Sequence, residues 1–207
     1  MADGGSPTLV ASQRDRLLRR GLRLEYATLA WNVIGSVVLV AAAVVGGSVA
    51  LAGFGLDSMI EIFASVVVVW HLRNIATSRE RTALGLIGLA FIGLAIYLSV
   101  QSVYALASYA EPRSSPIGIA WVSATFIVML LLAAGKARTG AALGNAVLSS
   151  EARVTLVDAI LAGAVLVGLV ADAVLGWWWA DPLAGLVIVA YAVKEAWTLV
   201  SERGERA

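Results

Sequence analysis

Asp57 and Glu61 stand four residues apart in the apolar run VALAGFGLDSMIEIFASVVVVW, and Asp158 stands in a second run, VTLVDAILAGAVLVGLV. A spacing of four puts Asp57 and Glu61 on one helical face. Two like charges there repel, so the pair is expected to share a proton or hold a cation between its carboxylates. Glu151 lies seven residues before Asp158 on nearly the same face, and Asn32 interrupts another apolar run. Carboxylate and amide oxygens in this pattern suit divalent cations, which need oxygen, nitrogen or sulfur donors to replace lost hydration water. The candidate ligands are therefore Asp57, Glu61 and Asp158, with Glu151 and Asn32 as supplementary ones.

The surroundings of these acids make them informative. Of the 207 residues, 60% are hydrophobic and 14% charged, and the mean hydropathy is +0.87. Soluble domains average about 45–50% apolar and about 25% charged, so this composition excludes an ordinary soluble enzyme and a disordered chain. The net charge of +1 gives no electrostatic case for nucleic acid. There is no cysteine, which removes disulfide and thiol chemistry. His71 stands alone, which removes paired-histidine metal motifs. No nucleophile elbow or phosphate-binding glycine loop accompanies the acids, so the chain reads as a non-enzyme.

The elements that must position the acids are membrane helices. About 20 apolar residues cross a bilayer, and six such stretches are present, near Tyr26–Val45, Val49–Trp70, Leu84–Ala107, Pro116–Ala134, Val154–Leu175 and Leu183–Leu199. The expected fold is an all-α integral membrane protein, a bundle of six transmembrane helices. Residues 1–25 read as a basic tail, 26–200 as the membrane domain and 201–207 as a short second tail. All basic residues except Arg113 fall on one side of this alternation. Positive charge stays cytoplasmic, so both termini are expected inside an inner or plasma membrane. Lys136 falls in the connection between the fourth and fifth spans on this reading. Trp177, Trp178 and Trp179 read as an interfacial belt, Asp172 and His71 as interfacial residues and Asp181 as a helix cap. Ala159 with Gly163, and Ala164 with Gly168, have helix-packing spacing, and Gly85, Gly88 and Gly93 thin the third span.

Three segments carry a family resemblance. SVALAGFGLDSMIEIFASVVVVWHLR resembles the second span of the cation diffusion facilitator, or cation efflux, family, whose Asp-x-x-x-Asp pair stands here as Asp57 and Glu61. LGNAVLSSEARVTLVDAILAGAVLVG resembles the fifth span, where the family carries His-x-x-x-Asp. The Asp matches Asp158, and the His position holds Val154. GWWWADPLAGLVIVAYAVKEAW resembles the sixth span with its Ala-Asp-Pro start, and the likeness runs over residues 24–200. It resembles a small bacterial branch whose members lack the family's cytoplasmic C-terminal domain, which leaves any homodimer to the membrane part.

The resemblance implies a divalent-metal transporter working by alternating access, with metal and protons as cargo and the lipid bilayer as its surroundings. Metal binding needs deprotonated ligands, so the two cargoes exclude each other. No resident cofactor is expected. The transported ion is zinc, manganese or a similar cation, and Val154 in place of histidine shifts the expectation toward harder ions. The rival reading is a transport-incompetent membrane protein that keeps the bundle and acts as a partner or scaffold.

Overall fold

The computed structural model describes residues 7–72, 80–111, 113 and 115–205. These form six α-helices: α1 (Pro7–Gly46), α2 (Val49–Leu72), α3 (Glu80–Ala107), α4 (Pro116–Leu143), α5 (Ala146–Leu175) and α6 (Ala180–Glu205). Each contains one of the six apolar stretches, in order. Among the described residues, stretches of α1, α3, α4 and α5 are long and apolar enough to cross a membrane by length and composition. In the other two helices, α2 holds Asp57 and Glu61 mid-helix, and α6 holds Asp181, Lys194 and Glu195 among its apolar residues.

The helix ends follow local chemistry. Gly47 turns the chain out of α1 with φ of +66°, a left-handed conformation that glycine adopts without steric cost. Ser48 then caps α2 by accepting a hydrogen bond from the Leu51 amide at 3.0 Å. Ser115 caps α4 in the same way through Gly118, and Pro116 fills the first turn, where no amide donor is needed. Between α4 and α5 only two residues intervene. Gly144 closes α4 in the left-handed region, and Asn145 opens α5 by accepting from Leu148 at 2.9 Å. The stretch read as a basic tail is helical from Pro7 onward. At 40 residues α1 is about 60 Å long, about twice the hydrocarbon thickness of a bilayer.

α2 is the hub. It packs against α1, α3, α5 and α6, while α4 lies mainly against α5 and α1, and α3 against α6. Lipid tails are as apolar as the helices, so association depends on close packing rather than on exclusion of water. Gly168 shows this. A methyl group there would come within 2.8 Å of Ala184 Cβ and 3.0 Å of the Ala180 carbonyl, so the α5–α6 contact requires glycine. Gly163 likewise faces Phe126 of α4, whereas Gly93 faces open space and does not thin α3 for a neighbour. The buried core centres on Phe54, Leu98, Val165 and Ile188 from α2, α3, α5 and α6.

One end of the bundle is tied by its connections. The Arg113 amide donates to the Gly46 carbonyl at 2.7 Å, and the rings of Tyr109 and Trp178 meet at 5.4 Å. Asp181 caps a helix, though not its own. It sits in the first turn of α6 and accepts from the Val49 amide at 2.8 Å, the Ala50 amide at 3.4 Å and the Ser48 hydroxyl. The carboxylate thereby satisfies the exposed amides at the start of α2. Trp177 and Trp179 stack at 5.1 Å at this same end and are half-exposed.

Candidate cation site

The bundle interior is lined by polar stripes at helical spacing. α1 buries Glu25, Thr28, Asn32 and Ser36; α2 buries Asp57, Ser58, Glu61 and Ser65; α5 buries Glu151, Thr155 and Asp158; α4 adds Thr125, Lys136 and Thr139. The lipid-facing surface is the reverse. Val37, Val44, Leu131, Val167 and Val174 are exposed there. Polar groups in hydrocarbon are costly, so each helix turns its polar stripe toward its neighbours.

Asp57 and Asp158 are 0% and 2% exposed. Neither oxygen of either carboxylate has a hydrogen-bond partner. Glu61 is also buried, and its Oε2 accepts from Asn32 Nδ2 at 2.8 Å. Asn32 therefore orients Glu61 with its amide nitrogen, and its backbone carbonyl accepts from Ser36 at 2.8 Å. The acids lie in one another's fields: Glu61 repels Asp57, Asp158 repels Glu61, and Asp57 repels Asp158. Glu195 of α6 adds to the negative field at Asp57. The hydroxyl of the half-buried Tyr191, whose ring packs edge-on to Phe91 at 5.8 Å, lies in the same field. In this conformation the acids are grouped but not closed around one point. Among the described residues no three of His, Cys, Asp or Glu approach closely enough to hold an ion.

Glu151 is placed elsewhere. Its Oε1 accepts from Lys136 Nζ at 3.2 Å, and Lys136 also donates to Glu25 Oε2 at 3.1 Å and to Thr155 Oγ1 at 3.0 Å. Lys136 and Glu25 are completely buried. Sequence reasoning put Lys136 in a connection and Glu25 at the end of a tail, because both lie just beyond the apolar runs. α4 continues to Leu143 and α1 begins at Pro7, so both fall within helices. A signal was present: Glu25, Thr28, Asn32 and Ser36 recur at steps of three and four, the spacing of one helical face.

Val154 is half-buried at the margin of the α5 stripe. Asp172 is half-buried near the end of α5, where its backbone carbonyl accepts from the Gly176 amide at 3.0 Å. The side chain of His71 lies outside the described residues.

Grouped carboxylates in the interior of a helical membrane bundle are suited to a cation. The cation efflux transmembrane domain family model matches residues 26–205, which takes in all of these acids except Glu25. With six helices in order, an apolar exterior and this match across most of its length, the chain belongs to the cation efflux family of membrane cation transporters.

Proposed function

We propose that this chain moves divalent metal cations across its membrane in exchange for protons, using Asp57 and Glu61 on α2 and Asp158 on α5. The observation that carries this reading is the pair of buried carboxylates, Asp57 and Asp158, whose oxygens accept no hydrogen bond. Unpartnered acids in a membrane interior are expensive and mark ion or proton pathways. Either a divalent ion or protons would relieve the mutual repulsion, and one excludes the other. Asn32 holds Glu61 in place through Oε2. The site loads from the cytoplasm, the helices rock about the α2–α5 contact, and protons from outside release the metal. Both termini lie on the cytoplasmic face, in keeping with the basic residues there.

The test is flux of zinc and manganese into everted vesicles carrying an imposed proton gradient. The parent moves metal and dissipates the gradient. Asp57→Asn, Glu61→Gln and Asp158→Asn each lose flux while still assembling in the membrane. Parental flux in all three variants overturns the site. An assembled parent without flux for any divalent ion makes the chain a scaffold instead. A C-terminal reporter active only outside the cytoplasm stays dark; a bright reporter reverses the orientation.

A further inference from the structure

Lys136 is held by oxygens that do not belong to its own helix. An ammonium has three donors, and each is used: on Glu25 Oε2 of α1 and on Glu151 Oε1 and Thr155 Oγ1 of α5. The Thr155 hydroxyl gives its own proton to the Glu151 carbonyl at 3.0 Å, so it faces the ammonium as an acceptor. Three oxygens from two helices thus surround one ammonium, and one carboxylate oxygen beside it is left over. With both carboxylates ionised, two negative charges meet a single positive charge. Glu25 Oε1 is buried and accepts no hydrogen bond. Two carboxylates and a hydroxyl form the oxygen-rich set that divalent ions use. A doubly charged ion would balance the charge that the ammonium leaves over.

We propose that Glu25, Glu151 and Thr155 form a second divalent-cation site, which Lys136 fills with its own ammonium and which a free ion occupies by displacing it. Glu151 precedes Asp158 by seven residues, about 10 Å along α5, so this pocket lies between the central carboxylates and the α4–α5 turn. The field of Lys136 reaches both Glu61 and Asp158. Displacing the ammonium would remove its attraction for both acids. The lysine stem is long and flexible enough to carry the charge out of the pocket. The second site exists whether or not the central one transports.

The proposal is tested on the full chain in detergent by acetic anhydride labelling at graded Mn²⁺, read by mass spectrometry. Lys194, exposed on α6, is the internal control. Lys136 acetylation rises roughly tenfold or more as Mn²⁺ saturates, the change expected if one well-placed ligand set is exchanged, while Lys194 stays constant. The rise persists in Asp57→Asn and is lost in Glu25→Gln. Flat Lys136 labelling while Mn²⁺ binds overturns the proposal and leaves a fixed ion pair. A rise that vanishes in Asp57→Asn reports the central site alone and also overturns it. A rise that persists there upholds the second site even in a chain without flux. Independently, Lys136→Gln should bind a second Mn²⁺ at least about tenfold more tightly than the parent. An assembled variant without that gain contradicts the proposal; if it does not assemble, labelling of the parent decides.

Discussion

Two groups of buried acids lie along α5, seven residues apart, and the protein treats them in opposite ways. Glu151 is paired with Lys136, whose ammonium it shares with Glu25 of α1 and with Thr155. Asp158 has no hydrogen-bond partner, and neither does Asp57 across from it on α2. Both groups are shielded from water to a similar degree, so burial alone does not distinguish them. Partnership does. A buried acid held through one oxygen by a buried ammonium, as Glu25 and Glu151 each are, ties helices together, whereas a buried acid with neither oxygen partnered is a cost that persists only where something else uses it. The first group joins α1, α4 and α5; the second leaves its oxygens open on α2 and α5.

The largest effect expected from this difference is on stability. Lys136→Met strands Glu25 and Glu151 and should lower unfolding stability by about 3–5 kcal/mol, the cost of breaking a buried ion pair from one side. Adding Glu25→Gln and Glu151→Gln should recover much of that loss. Denaturation in mild detergent measures both, and an equal Tm for parent and Lys136→Met would erase the contrast. Next is Asp181→Ala, which leaves the amides of Val49 and Ala50 uncapped and should cost about 1–2 kcal/mol. Because α2 carries Asp57 and Glu61, metal affinity should weaken along with stability; a loss of neither would show that the cap does not hold α2.

Val154→His should raise the zinc-to-manganese affinity ratio roughly tenfold, equivalent to about 1.4 kcal/mol. An imidazole nitrogen one turn from Asp158 favours zinc over harder ions. Calorimetry in detergent reads the ratio, and an unchanged value means position 154 does not face the ion. The smallest expected stability change is the most telling. Asp57→Asn removes an unpartnered charge and keeps its size, so Tm should hold or rise while flux is lost. A fall as large as that of Lys136→Met would mean that Asp57 is structurally paired, and the distinction between the two groups would fail.

Much of this was legible beforehand because apolar length and acid placement are local properties. Six apolar stretches yield six helices in order, and Asp57, Glu61 and Asp158 are buried as acids in such stretches must be. Asp181 was legible as a cap from its place before Pro182, but its partner was not. The Ser48–Ala50 segment it caps is more than 130 residues away in the chain. Lys136 was misplaced for a related reason. Apolar content falls off after Ala134, yet α4 continues to Leu143 because the turn signal, Gly144 followed by Asn145, comes only there.

The sequence by itself therefore determined the class of the molecule, the order of its helices and the burial of Asp57, Glu61 and Asp158, though not that of Glu25. A bilayer forces those outcomes on any chain with this hydropathy, whatever its neighbours do. Only the tertiary structure decided which acids are matched. Glu25 and Lys136 are 111 residues apart in the chain and meet within 3.1 Å across α1 and α4. Asp57 and Asp158, in equally apolar runs, meet no donor at all. Hydrogen bonding depends on positions in space to a fraction of an ångström, and helix packing, not local residue order, sets those positions.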